Sequence, residues 1–238
     1  MGTTIAPLQN VTIFSELVER VVSRPAHLPG MATFHGPSGY GKTFAATYAA
    51  NKHSAAYIEL GSSWTKKKFC QALSVELGAH AARTIADMMD EIVKVLALDQ
   101  RPLIIDEFDH ALTRGLLEMV RELHDKSGAP IILIGEELLP DKLAAHERFH
   151  NRILSWAAAQ PAMLDDVRHL ARVYAPGLTI RDDLLERITS ASDGRARRAC
   201  VNIEQVREAA LLQGLDSIGL AEWGDAPLYN GRPPHRRA

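Results

Sequence analysis

The sequence is short of the features that mark exported, thiolate-ligated or membrane-inserted chains. Its two cysteines, Cys70 and Cys200, lie far apart and in no metal-ligand spacing. That excludes a disulfide framework and a cysteine metal knuckle, and it points to a reducing cytosol. No apolar run approaches the about 18 residues of a membrane span. The stretch MGTTIAPLQN lacks a charged region followed by an apolar one, so no cleaved leader and no membrane partner are expected. An excess of one charge is also missing. The formal net charge is −2, which excludes a global basic field and confines any polyanion site to a local patch. Internal repeats and low-complexity segments are absent.

What remains is an ordinary globular composition, 46% hydrophobic and 24% charged over 238 residues. That is enough for one large domain or a core with a small appendage. Phe14, Leu17, Val18, Val21 and Val22 recur at helical spacing behind a possible cap, Asn10. Short apolar strands are predicted at 31–35, 55–60, 103–105 and 131–134, with a weaker one at 153–157. Helices are predicted between them at about 42–52, 66–77, 84–98, 112–126 and 141–152. Strands alternating with helices mean a parallel sheet covered on both faces, an α/β fold. After Pro161 the strands stop, and 165–174, 181–192 and 195–213 read as helices. The expected organisation is therefore an α/β core over 1–160, a small helical domain over 161–220, and a flexible tail over 221–238. That tail is rich in Pro, Gly and Arg and ends His235-Arg236-Arg237-Ala238.

Gly36-Pro37-Ser38-Gly39-Tyr40-Gly41-Lys42-Thr43 fits G-x-x-x-x-G-K-[ST], the P-loop, and it runs from a predicted strand into a predicted helix as that chemistry requires. Its glycines let successive backbone N–H groups fold around phosphate oxygens at a helix N-terminus. Lys42 would reach the β- and γ-phosphates and the Thr43 hydroxyl would hold Mg²⁺; Phe44 follows in the same nucleotide-binding segment. Downstream, Leu103-Ile104-Ile105 ends in Asp106-Glu107. A strand ending in a carboxylate places Asp106 at the sheet edge where ligands bind, as a Mg²⁺ partner through water. Glu107 is the candidate base that orients and deprotonates the attacking water. ATP and Mg²⁺ are the implied cofactors. A third stretch, Ser63-Trp64-Thr65-Lys66-Lys67-Lys68-Phe69, opens a helix with three cations against the positive end of its dipole, each costing about 0.3–1 kcal/mol. An anion is needed to make that placement favourable.

Taken together, GPSGYGKT, IIDEFDH, the strand IILIG, ERFHNRI and SDGRARR resemble the arrangement of the AAA+ ATPases. Within that superfamily they resemble the transposition target-selection group, that of bacteriophage Mu transposition protein B, over roughly residues 10–215. The D-E-x-D-H wording from Asp106 to His110 and L-I-G-E-E-L from Leu133 to Leu138 carry the narrower likeness. The resemblance implies a P-loop AAA+ core with a parallel five-stranded sheet and a small all-α lid. It implies ATP hydrolysis and cytoplasmic action in a bacterial host. It also implies a homo-oligomer, either a helical filament or an open ring, on duplex DNA that is delivered to a transposase. Arg152 or Arg148 then matches the arginine finger that enters a neighbour's ATP site. Arg197, in Gly194-x-x-Arg197, matches the second sensor at the γ-phosphate. In this family the segment after the second strand faces DNA, so Thr65, Lys66, Lys67 and Lys68 become the candidate backbone clamp, with Lys68 directed back along the helix side.

Two features depart from that pattern. Gly135-Glu136-Glu137 follows the fourth strand where the group carries a neutral hydrogen-bond donor. No length before Phe14 is left for that group's N-terminal DNA-binding appendage, so the core is expected to touch DNA. Two other readings stay open: an AAA+ loader or remodelling ATPase acting on a protein partner, and a small-molecule kinase on a P-loop core. His146-Glu147-Arg148-Phe149-His150 matches the zinc-protease motif H-E-x-x-H. It is expected to be a coincidence, because no third ligand accompanies it.

Overall fold

The computed structural model describes residues 8–232. The chain divides into two compact units, one of residues 11–37 with 42–159 and one of 8–10 with 38–41 and 160–232. In chain order the elements are α1 (Gln9–Val22), β1 (Met31–His35), α2 (Lys42–His53), β2 (Ala56–Glu59), α3 (Lys66–Leu77) and α4 (Ile85–Asp99). There follow β3 (Leu103–Asp106), α5 (Asp109–Arg114), α6 (Leu117–Ser127), β4 (Ile131–Gly135), α7 (Leu139–Ala144), α8 (Glu147–His150) and β5 (Ile153–Ala158). The smaller unit adds α9 (Leu164–Tyr174), β6 (Thr179–Ile180), α10 (Asp182–Ser192), α11 (Ala196–Gln213), β7 (Ser217–Ile218) and α12 (Leu220–Trp223).

In the larger unit the five strands form one parallel sheet in the order β2-β3-β4-β1-β5. The continuous apolar runs of β3 and β4 are buried along their whole length, as a strand covered on both faces must be. On one face Leu103, Ile105, Ile131 and Leu133 pack with Phe69, Leu73, Ile92, Leu96, Val120 and Leu123. Elsewhere in this unit, Phe14 of α1 meets Phe34 of β1 edge-on at 5.1 Å, and α2 buries Ala45, Ala46 and Ala49. Each fully buried large side chain contributes about 1.5–3 kcal/mol.

Because the strands are parallel, their C-terminal ends gather at one edge, where ligands bind in such sheets. The P-loop follows β1 and the Asp-Glu pair ends β3. Between those two strands lies β4, so Gly135 stands between the two motifs.

Several expected elements come out differently. The helix expected at 112–126 is two helices, α5 and α6, because Gly115 ends the first in the left-handed region at φ 65°. The one expected at 141–152 also breaks, into α7 and α8. Asn10 is no cap: it lies inside α1, and its amide donates to the carbonyls of Tyr40 and Gln160, both at 2.8 Å. The small domain is not purely helical, since β6 and β7 pair in parallel through Thr179–Ser217 and Ile180–Ile218. Nor is the stretch from Gly224 loose over its described part. Fully buried Asn202 accepts from Tyr229 N–H at 2.7 Å and donates to its carbonyl at 3.0 Å. Arg187 adds a bond to Gly224 O at 3.0 Å. His235, Arg236, Arg237 and Ala238 lie outside the described residues.

Candidate nucleotide site

β1 leads into the phosphate loop at His35. Gly36 N–H donates to Gly135 O at 3.4 Å, which ties the start of the loop to the end of β4. Gly39 and Gly41 have φ of 87° and 82°, values that a residue with a Cβ adopts at a cost and glycine does not. Lys42 then opens α2, and its ammonium donates to Gly36 O at 2.6 Å and Pro37 O at 3.0 Å. Burial pulls the Lys42 pKa below that of an ordinary lysine, while Asp106, Glu107, Asp109 and Glu136 pull it back up. A partly buried cation whose hydrogen-bond partners are loop carbonyls, at the foot of a helix with open N–H groups, fits a polyphosphate. Phe44 is exposed on α2.

Thr43 Oγ1 donates to Asp106 Oδ2 at 2.8 Å, and Tyr57 OH donates to the same oxygen at 3.1 Å. The other carboxylate oxygen accepts Glu107 N–H at 2.8 Å. Burial and the adjoining Asp106 charge push the Tyr57 hydroxyl well above its usual range, so it stays a donor. A hydroxyl beside one carboxylate fits Mg²⁺, a hard cation that keeps waters and phosphate oxygens as its other ligands. Tyr57 went unseen in the sequence because an aromatic in a strand reads as packing.

Glu107 has φ 54°, a left-handed backbone that costs a non-glycine residue on the order of 1–3 kcal/mol. Burial, then the Asp106 charge, raise its pKa above that of an ordinary glutamate, against the opposing pull of His110 and Lys42. A base works deprotonated, so if Glu107 takes the proton of the attacking water, hydrolysis is lost as pH falls through that raised value. The acid limb of hydrolysis is therefore expected above the usual glutamate pKa of about 4.3. A pH–rate profile measured to the stability limit checks this; a rate flat down to pH 4 would contradict it.

Where a neutral donor was missing after β4, the structure shows why Gly135 stands there. A Cβ on Gly135 would collide with Asp109 Oδ2, and would sit 2.7 Å from Leu139 Cδ2. Asp109 accepts Glu136 N–H at 2.6 Å on that oxygen and the Lys142 ammonium at 2.6 Å on the other.

In the smaller unit Arg197 N–H donates to Gly39 O at 3.3 Å. Arg195 packs its Cβ 3.4 Å from the position of a Gly39 Cβ. Arg195 and Arg198 both pair with Asp193. The Arg197 side chain is exposed and forms no ion pair among the described residues.

Residues 26–143 match the family described as AAA domain. Over that span the chain is similar to an AAA domain. The phosphate loop and the acidic end of β3 are those of an ATPase, and the five-stranded parallel sheet with its helices is the fold of such a core. No curated protein matches this sequence. Similar solved structures include the ORC2 protein of Aeropyrum pernix, in ADPNP and ADP complexes. It has a TM-score of 0.71 and 16% identity over 93% of this chain and 68% of that one. The Aeropyrum pernix ORC1 protein in complex with DNA has a TM-score of 0.64 and 18% identity over 91% of this chain and 64% of that one. The RuvB Holliday junction branch migration motor of Thermotoga maritima has a TM-score of 0.58 and 18% identity over 90% of this chain and 66% of that one. At these identities the likeness is one of fold, and the chain spans about two thirds of the length of these proteins.

Away from the nucleotide loop, the larger unit places the other expected residues as follows. Arg152 is held in a fork: its Nε and Nη2 each donate to a different Asp125 oxygen at 3.0 Å, and Nη1 donates to Arg148 O at 2.8 Å. Arg148 is exposed, with no ion pair among the described residues. The H-E-x-x-H match is not a metal helix. His146 precedes the four-residue α8 in a non-helical conformation, and His150 lies against Trp156 at 5.3 Å. Among the described residues no group of three His, Cys, Asp or Glu side chains could hold a metal ion.

Thr65 does cap α3, accepting Lys68 N–H at 3.3 Å. Lys66, Lys67 and Lys68 are all exposed and form no ion pair among the described residues. Lys68 lies over the Trp64 ring at 5.6 Å. No helix among the described residues is long and apolar enough to cross a membrane.

Proposed function

We propose that the protein is an ATP-dependent DNA-binding ATPase that assembles with copies of itself on duplex DNA and presents that DNA to a transposase. The observation that carries the DNA reading is the exposed lysine triplet at the first turn of α3, which forms no ion pair among the described residues. Phosphate is the ligand that turns this placement from a cost into a gain, because the helix N–H groups and the ammonium groups then act together. The fold shared with a protein solved in complex with DNA agrees with it. The transposase follows from the D-E-x-D-H and L-I-G-E-E-L wording.

In this reading Lys42 and the loop N–H groups of 36–43 hold the triphosphate. Thr43 and Asp106 hold Mg²⁺, which when bound neutralises charge on the β- and γ-phosphate oxygens. Glu107 takes the proton of the attacking water. Arg197 contacts the γ-phosphate. Arg148 is the finger offered to a neighbouring copy, since the Arg152 fork is already filled by Asp125. A nucleotide between copies favours the assembled state by linkage, and a head-to-tail interface that does not close gives a filament or an open ring.

Binding to plasmid DNA is expected to require ATP and to weaken steeply with salt, with a log–log slope of about −0.9 for each phosphate neutralised. The double variant Lys66→Glu, Lys67→Glu should lose binding and DNA-stimulated hydrolysis while retaining basal ATPase. Equal binding with and without nucleotide would overturn the reading. DNA-independent hydrolysis untouched by the charge reversal would point to a protein partner instead.

A further inference from the structure

We infer that Asp109, fixed by Lys142 and by the Glu136 N–H, is a positioning residue that holds Glu107 in its working conformation. The inference rests on Glu107 being the base of the proposed hydrolysis.

Glu107 occupies a left-handed backbone conformation that its side chain does not favour, at φ 54°. Such a conformation persists only where its surroundings hold it. On the N-terminal side the anchor is Asp106, whose Oδ1 accepts Glu107 N–H at 2.8 Å and whose carbonyl accepts Leu60 N–H at 3.0 Å. On the C-terminal side the chain is tied once to the strand between the two motifs and once to the residue that follows it. Phe108 N–H donates to Ile134 O at 2.8 Å, and Asp109 Oδ2 accepts Glu136 N–H at 2.6 Å. The second tie depends on a carboxylate that is itself held, since Oδ1 of Asp109 accepts the Lys142 ammonium at 2.6 Å. The Asp109 side chain is 11% exposed and that of Lys142 39%, so the pair is shielded from solvent at its aspartate end only.

The room for this carboxylate is made by Gly135, where a Cβ would strike Asp109 Oδ2. Glycine at the end of β4 and aspartate two residues after Glu107 are thus one device. The same device borders the phosphate loop. Gly135 pairs in register with His35, and its carbonyl accepts Gly36 N–H at 3.4 Å. Asp109 therefore sets the turn carrying Glu107 relative to the loop that carries the phosphates. Its hydrogen bonds go to Glu136 and Lys142, so it acts through Glu107 and not on the substrate.

The test is a double-mutant cycle on the full chain, read as ATP hydrolysis under single-turnover conditions and as affinity for a fluorescent ATP analogue. Asp109→Asn keeps the shape and removes the partner of Lys142. Single-turnover hydrolysis is expected to fall on the order of tenfold or more while analogue affinity stays within about twofold, a change confined to the chemical step. In a Glu107→Gln background the same substitution is expected to cost nothing further, because residues that act as a unit are non-additive. Lys142→Met, at a side chain 39% exposed, should reproduce part of the loss, and it decides the matter should Asp109→Asn fail to fold. Unchanged hydrolysis in the variants would overturn the inference, as would an equal loss of analogue affinity or an equal further loss in the Glu107→Gln background. Wild-type hydrolysis by Glu107→Gln alone would instead overturn the assignment of the base.

Discussion

Glu107→Gln is expected to leave nucleotide bound and to stop its hydrolysis. The substitution preserves volume and hydrogen-bonding shape but removes the only property the proposed mechanism asks of the side chain, acceptance of a proton. Positioned general bases contribute about 10²–10⁴ in rate, so single-turnover hydrolysis should fall by that factor. Asp106 does not substitute, because its two oxygens are already engaged by Thr43, Tyr57 and the Glu107 N–H. Phosphate release measured beside analogue binding separates the two effects. If nucleotide favours assembly on DNA, the variant should also remain on plasmid after ATP is added, long after the parent chain has left. Hydrolysis within threefold of the parent would remove Glu107 from the mechanism.

Lys42→Met should do the reverse and abolish nucleotide binding itself. The Lys42 ammonium is felt electrostatically by Asp106, Glu107, Asp109 and Glu136, so its removal leaves the charge of four carboxylates less opposed where a polyanion would bind. Truncating one partner of a buried charge contact costs about 2–5 kcal/mol, which is roughly thirtyfold weaker binding or worse. Misfolding is not the expected cause. Burial holds the Lys42 pKa below its unfolded value, so the charged form is disfavoured in the folded state and folding pays that penalty at neutral pH. Replacing the ammonium with an apolar chain removes the penalty, and the thermal midpoint should hold or rise while analogue binding disappears. A drop in midpoint together with retained binding would contradict both halves of this account.

The sequence carried the phosphate loop and the Asp106-Glu107 strand plainly, because each depends on local chemistry: glycines where the backbone must turn, an apolar run ended by acid. Strand and helix alternation was legible for the same reason. The breaks at Gly115 and between α7 and α8 were not, since apolar spacing continues across both; at the first a glycine stop lies inside a helical pattern, and at the second neither glycine nor proline marks the break. Asp109 and Lys142 escaped for a different reason. They stand 33 positions apart, and neither residue type announces a partner at that distance. A hint was present in D-E-x-D-H, whose second aspartate had no assigned task, and in a glycine where a donor was expected. Arg148 and Arg152 looked equivalent on paper; only the Asp125 fork separates them.

The amide of Asn202 has a last consequence. By gripping both backbone groups of Tyr229, it holds the chain beyond α12 at a fixed place against α11. A probe attached there reports the orientation of the helical unit itself, with little blur from an intervening tether.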